Sequence, residues 1–210
     1  FVDDCFVAGT KILMSDGSES NIEDIKVDDL VLSYESGSVV SNRVKSTTSP
    51  VHTKIVKLEL EGFDITVTPV HPFFVKGKGW SSLLPEKAKD NYQYQLDECA
   101  QLEKGDILLQ YLDGQINEVE LVKINDIEET ETTTYSISVE NAHNHFANSV
   151  LVHNAIEDVY NLTAWGTGTT QIFPTIKGES DFDGETIDIQ ASTVRHISAG
   201  VYGSNIGSAN

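Results

Sequence analysis

The chain has 210 residues, enough for one large domain or for one domain and part of a second, with a packed core. Its formal net charge is −19, and acidic residues outnumber basic ones both in residues 1–154, by 26 to 12, and in residues 155–210, by 7 to 2. This charge disfavours binding to nucleic-acid phosphates. From the opening residues FVDDC and the absence of a long apolar run we expect neither a signal peptide nor a membrane span. Two cysteines are too few for a disulfide framework.

The first predicted elements are short strands. Cys5 begins the apolar run CFVAGTKI, which predicts a strand with a break at Gly9. Residues 11–34 predict a strand, a turn, a short helix or loop, and a second strand. Residues 54–60 and 63–68 alternate between apolar and polar side chains on either side of Glu61-Gly62, which predicts a hairpin.

The middle of the chain continues in the same way. Residues 72–80 predict a strand and a glycine-rich turn, and residues 85–95 form a polar, weakly structured stretch. Residues 118–127 and 132–139 predict two strands with an acidic loop over 128–131. This alternation of short strands and turns predicts an all-β fold.

The segment from His143 to Asn154 contains three histidines, and its apolar run 150–152 predicts a short buried strand that ends at His153 and Asn154. An asparagine side-chain nitrogen can attack its own main-chain carbonyl, which forms a succinimide and cuts the chain after that residue. Acceleration needs one group to protonate the departing amine and another to polarise or deprotonate the attacking amide, and His153 and His143 are the candidates. The alternative interpretation of an isolated His-Asn pair is a turn after a strand.

Cys5 offers matching chemistry at the other end. Its thiol can attack the carbonyl of Asp4, which converts the Asp4–Cys5 amide into a thioester. This shift needs an acid for the leaving nitrogen and a donor for the developing oxyanion. Thr68 and His71, in the sequence TPVH at a predicted strand end, are one plausible donor set.

Four motifs together resemble the Hint superfamily, which comprises inteins, bacterial intein-like domains and the Hedgehog autoprocessing domain. They are CFVAGT from Cys5, TPVH at 68–71, YSISVENAHNHFAN at 135–148 and VHN at 152–154, in the family's order and spacing. The resemblance implies an all-β, horseshoe-like fold with pseudo-twofold symmetry that brings both chain ends to a central site. The 30 or so residues between Leu83 and Asp113 are too few for an endonuclease insert, which needs roughly 100.

The resemblance also implies roles and boundaries. Residues 5–154 are the Hint domain, and residues 1–4 and 155–210 are flanking exteins, the second β-like or loosely ordered. Cys5 matches the first nucleophile, Thr68 and His71 the motif that promotes the first acyl shift, His143 the histidine that assists cyclisation, and His153 and Asn154 the terminal pair. His145 occupies a position where the family more often has an aromatic or aliphatic residue, and we interpret it as structural.

Two positions depart from the splicing pattern. Splicing inteins carry Cys, Ser or Thr after the terminal asparagine, whereas Ala155 has no nucleophile and blocks ligation through that side chain. Cleavage at Asp4–Cys5 and at Asn154–Ala155 stays available, as in A-type bacterial intein-like domains, some of which join their flanks by aminolysis. Ser136 stands where many inteins have an acid or a cysteine that couples the two end reactions.

The sequence therefore predicts a single-turnover, autocatalytic cleavage or splicing domain that acts in cis on its own flanks, as a monomer. We expect it to need no cofactor, metal, partner, membrane or nucleic acid. The alternatives are a trapped or inactive precursor in which Ala155 replaces Cys, Ser or Thr, a cysteine hydrolase that acts in trans, and a non-catalytic β-domain.

Overall fold

A computed structural model describes residues 4–92, 96 and 98–154. Within them the chain forms one short helix, α1 (Pro85–Tyr92), a turn of 3-10 helix (Ile22–Asp24) and fifteen strands. The strands are β1 (Phe6–Val7), β2 (Lys11–Leu13), β3 (Glu19–Asn21), β4 (Leu30–Glu35), β5 (Ser38–Thr48), β6 (Val51–Leu60), β7 (Phe63–Val67), β8 (Phe73–Val75), β9 (Gly79–Ser82), β10 (Ala100–Gln101), β11 (Ile107–Leu112), β12 (Gln115–Ile124), β13 (Glu128–Val139), β14 (Asn144–Ala147) and β15 (Val150–His153). This content confirms the predicted all-β class. The predicted flank at 155–210 lies outside the described residues.

The predicted hairpin before Thr68 is present as β6 and β7. These strands pair antiparallel, with Leu60 opposite Phe63 and Val56 opposite Val67. Gly62 turns the chain with a φ of +92°, in the left-handed region that glycine adopts without strain. The hairpin ends at Val67, so that Thr68 follows directly at the end of β7.

Two local predictions were wrong because they ignored tertiary contacts. Residues 85–95 include α1, which begins at Pro85 and buries Ala88 against Val70 and Leu96. Proline suits the first position of a helix because its missing N–H has no helical partner there. The predicted acidic loop at 128–131 belongs instead to β13, since its main chain pairs with β6, which overrides the low strand propensity of glutamate.

The sheet brings the two ends of the predicted domain to one place. β1 lies between β7 and β13, with Phe6 opposite Val67 and Tyr135. β15 pairs with β8, with Val152 opposite Phe73. Because residues 68–72 join β7 to β8, this short segment runs from the partner of the first strand to the partner of the last.

Hydrophobic side chains pack on both faces of the β14–β15 hairpin. One cluster contains Phe6, Phe73 and Val152, and another contains Phe146 and Leu151. Complete burial of a phenylalanine contributes about 2 kcal/mol, so that these rings fix the strands that carry the ends of the domain. In the part of the chain that the structure describes, no helix has the length and apolar character needed to cross a membrane.

Candidate functional site

The Asp4–Cys5 peptide bond is buried and held by Thr68. Asp4 is 3% exposed and Cys5 is fully buried. The Cys5 N–H, which belongs to this peptide bond, donates to the Thr68 hydroxyl oxygen over 2.9 Å, and the Thr68 N–H donates to the Cys5 carbonyl over 2.9 Å. Thr68 thus binds the nitrogen that would leave in an acyl shift to the Cys5 thiol. Both cysteines of the chain are thiols.

His71 lies one turn of chain beyond Thr68, and its main-chain N–H donates to the Thr68 carbonyl over 3.1 Å. Its ring is 1% exposed and packs between two aromatic neighbours, with centroid distances of 4.2 Å to Phe6 and 5.6 Å to Phe73. Burial lowers the pKa of His71 well below its usual value, and the nearby main chain of Asp4 opposes this effect weakly. His71 is therefore a neutral imidazole at physiological pH, able to accept a proton.

The Asn154 end is built on β15. Its last residue, His153, donates its main-chain N–H to the Pro72 carbonyl over 3.1 Å and packs its ring edge-to-face on Trp80, at 4.9 Å between centroids. The His153 Nδ1 lies 3.0 Å from the Asn154 carbonyl oxygen. Because a carbonyl oxygen only accepts, Nδ1 carries the hydrogen in this contact, and it polarises the carbonyl that cyclisation would attack. Burial lowers the pKa of His153 to about 4, against a weaker opposing effect of this hydrogen bond.

His143 holds Asn154 through its main chain. The Asn154 N–H donates to the His143 carbonyl over 3.1 Å. His143 has a φ of +51°, a left-handed conformation that is uncommon for residues other than glycine and often marks functional sites. The next residue fixes it: the Asn144 side chain accepts from the Tyr34 N–H over 2.7 Å and donates to the Tyr34 carbonyl over 2.8 Å.

The structure thus brings the predicted residues together in two sets. Cys5, Thr68 and His71 surround the first junction, and His143, His153 and Asn154 surround the second. The two sets are adjacent, because the His153 N–H donates to the carbonyl of Pro72, the residue after His71, over 3.1 Å. Ala155, the last predicted junction residue, lies outside the described residues.

Sequence reasoning assigned no chemistry to His145, yet the structure places this residue in the same cluster. It is 1% exposed, and charge on it would also lower the pKa of His71. A sequence signal was present: a polar residue stands where the resembling family has an apolar one. No group of three or more His, Cys, Asp or Glu side chains within the described ranges has an arrangement that could hold a metal ion.

Two kinds of relatives emerge from comparison with known proteins. The family model for the Ataxin-1 and HBP1 module (AXH) matches residues 6–113. Ataxin-1 of Mus musculus is 28% identical over 118 residues, which cover 50% of this chain and 14% of that protein. Ataxin-1-like of Homo sapiens is 30% identical over 118 residues, which cover 50% and 16%. The chain therefore spans only a small part of the length of these curated relatives.

The similar solved structures are inteins and an intein-like domain. The solution structure of a bacterial intein-like domain from Clostridium thermocellum is 29% identical, covers 71% of this chain and 98% of its own, and has a TM-score of 0.56. The gp41-1 intein is 25% identical, with 72% and 98% covered and a TM-score of 0.53. The Ssp DnaB mini-intein variant M86 is 18% identical, with 74% and 97% covered and a TM-score of 0.60, a likeness of fold alone.

Proposed function

From two findings we propose that this protein cuts its own main chain: the chain belongs to the AXH family over residues 6–113, and it has the Hint fold of inteins and bacterial intein-like domains. The processing domain is residues 5–154, and its substrates are the flanks at 1–4 and 155–210. It acts once, in cis, as a monomer without partner or cofactor. The observation that carries the proposal is the hydrogen bond of the buried His153 ring to the Asn154 carbonyl.

At the first junction, the Cys5 Sγ attacks the Asp4 carbonyl carbon and the bond from that carbon to the Cys5 nitrogen breaks. His71 takes the thiol proton and returns it to the departing nitrogen, which Thr68 holds through the 2.9 Å hydrogen bond. The product is a thioester at Cys5, which water or an added thiol then cleaves. This releases residues 1–4.

At the second junction, the Asn154 side-chain nitrogen attacks its own carbonyl carbon. The His153 Nδ1–H stabilises the negative charge that develops on the carbonyl oxygen, and the His143 carbonyl fixes the Asn154 main chain. The bond to Ala155 breaks, the attacking nitrogen loses a proton and the departing amine gains one. His143 is our candidate to accept this proton, and the products are a succinimide and a free flank.

Ala155 limits the outcome to cleavage unless the amine freed at residue 155 attacks the Cys5 thioester directly. That attack would join the flanks by aminolysis, with the Cys5 thiol as the leaving group. We therefore propose cleavage at both junctions as the main activity and joining of the flanks as a minor one.

The AXH match favours a second candidate, a non-catalytic β-module. The matched range includes Thr68 and His71 but leaves out Cys5, His143, His153 and Asn154. The match to that family therefore covers only part of the set of reacting groups. A hydrolase acting in trans is less well supported, because the fully buried Cys5 is closed to a separate substrate.

Intact mass spectrometry of the purified chain over time, with and without dithiothreitol, tests the proposal. We expect loss of residues 155–210 that leaves an upstream piece one water lighter than its hydrolysed form, and thiol-induced loss of residues 1–4. Asn154→Ala should abolish only the first loss, and Cys5→Ala only the second. A mass that stays unchanged under every condition would refute self-cleavage and favour the module or a trapped precursor.

A further inference from the structure

His145 is a buried imidazole with no hydrogen-bonding role in the described structure. It lies in β14, is 1% exposed, and neither ring nitrogen has a hydrogen-bond partner among the described residues. A buried polar group without a partner costs about 1–3 kcal/mol. A phenylalanine or leucine would fill this position without that cost, so a purely structural role gives no reason for histidine here.

Strand register directs His145 towards the first junction. In the β14–β15 hairpin His145 is opposite Val152, which belongs to the Phe6 cluster, whereas His153 contacts Trp80. The His145 ring lies edge-on to Phe6 at 6.0 Å between centroids, and the same Phe6 ring lies 4.2 Å from that of His71. Neither His71 nitrogen bonds to a side chain among the described residues, although the main chain of Asp4 lies near the ring. Two buried imidazoles therefore share one aromatic neighbour beside the Asp4–Cys5 bond.

From this juxtaposition, and resting on the proposed function, we propose that His145 is a positioning residue for the first acyl shift and accepts a hydrogen bond from the His71 imidazolium. The bond forms directly or through one buried water molecule, while His71 carries the proton on its way from the Cys5 thiol to the Cys5 nitrogen. The proton count is unchanged, because His145 only orients His71 and stabilises its transient charge.

A neutral acceptor suits this task better than a carboxylate would. A buried carboxylate beside His71 would raise the pKa of the imidazole and keep it protonated, so that it could not accept the thiol proton. Burial and, to a lesser extent, the nearby His153 lower the pKa of His145 to about 3. His145 therefore stays an uncharged acceptor, and its hydrogen bond to His71 is strongest while His71 carries the extra proton.

Two substitutions separate a positioning role from a structural one. His145→Phe keeps the ring and removes the acceptor, whereas His145→Gln keeps an acceptor and loses the ring. The readout is the rate of dithiothreitol-induced loss of residues 1–4, with loss of residues 155–210 as the internal reference. His52→Phe, in half-buried surroundings on β6, is the matched control.

We expect His145→Phe to slow the thiol-induced loss tenfold or more and His145→Gln to stay within about threefold of the unsubstituted chain. Loss of residues 155–210 should change by less than about threefold in both, and His52→Phe should change neither rate.

The reverse order, with phenylalanine as active as histidine and glutamine impaired, would overturn the inference, because that order is what a packing role predicts. Should circular dichroism show that His145→Phe is unfolded, His145→Leu replaces it in the same comparison. If the unsubstituted chain loses neither flank, it is the proposed function that fails, and not only the role of His145.

Discussion

The two junctions are held at different atoms. At Asp4–Cys5 the fold binds the peptide nitrogen, through the hydrogen bond from the Cys5 N–H to the Thr68 hydroxyl. At the Asn154 end it binds the carbonyl oxygen, through the Nδ1 of His153. In the proposed function the first hydrogen bond holds the scissile peptide in place for the Cys5 thiol, which is a strong nucleophile. The second polarises the carbonyl that the Asn154 amide, a weak nucleophile, must attack.

The junctions also differ in backbone conformation. Cys5 enters β1 through regular antiparallel pairing, whereas His143 and Asn141 have φ values of +51° and +59°. Left-handed residues of this kind cost about 1–3 kcal/mol each and persist where surrounding contacts fix them. The Asn144 side chain supplies those contacts by its two hydrogen bonds to the Tyr34 main chain. The second site is thus the more strained of the two.

The largest effect that separates the junctions is expected at His153. His153→Phe keeps a ring for Trp80 to pack on but removes the Nδ1–H that polarises the Asn154 carbonyl. Loss of one such donor typically costs a hundredfold or more in rate. We therefore expect loss of residues 155–210 to slow by about a hundredfold, measured by intact mass, while thiol-induced loss of residues 1–4 changes by less than about threefold.

His52→Phe again serves as the control, since it makes the same change at a half-buried histidine on β6 that has no part in the proposed chemistry. Equal slowing of both cleavages by His153→Phe would contradict the division of roles. It would mean that this ring supports the whole site and not the Asn154 carbonyl alone.

A smaller effect is expected at Thr68, for the opposite junction. Thr68→Val is nearly isosteric but removes the hydroxyl oxygen that accepts the Cys5 N–H. A single neutral hydrogen bond contributes about 1 kcal/mol, and with the loss of alignment we expect thiol-induced loss of residues 1–4 to slow about tenfold. Thr68→Ser, which keeps the oxygen, should retain most of the rate. A valine variant as fast as threonine would remove Thr68 from the mechanism.

The sequence predicted most residues of the two sites but not the position of His145. Alternation and turn signals place Cys5, Thr68 and the His153–Asn154 pair at strand ends, and the resemblance to the Hint superfamily predicts that these ends meet at one site. The position of the His145 ring could not be predicted. A β14 side chain packs in the hydrophobic cluster of the residue opposite it on the partner strand, and for His145 that residue is Val152. The same dependence on distant partners explains the two errors of fold, the helix α1 and the paired acidic stretch at the start of β13.

The smallest expected effect concerns the pH dependence of the free energy of unfolding, to which the buried histidines beside each junction contribute. The pKa is about 3 for His145, about 4 for His153 and well below its usual value for His71, chiefly because all three are buried, whereas histidine in the unfolded chain titrates near 6.5. Below pH 6.5 the unfolded chain therefore binds more protons than the folded one. The free energy of unfolding should fall as the pH drops from 6.5 towards 4, by roughly 1 kcal/mol per pH unit for each histidine.

Urea unfolding at pH 7, 6 and 5 measures this dependence, in the Cys5→Ala/Asn154→Ala background so that the chain stays intact. Adding His145→Phe should remove about one histidine's share of the slope, and adding His153→Phe a similar share. Because His71 and His145 share the Phe6 ring beside the first junction and His153 lies beside the second, the slope left after His153→Phe reports the first junction. An unchanged slope after both substitutions would mean that these rings are already solvated in the folded chain, which would also remove the buried, neutral imidazoles from the mechanism.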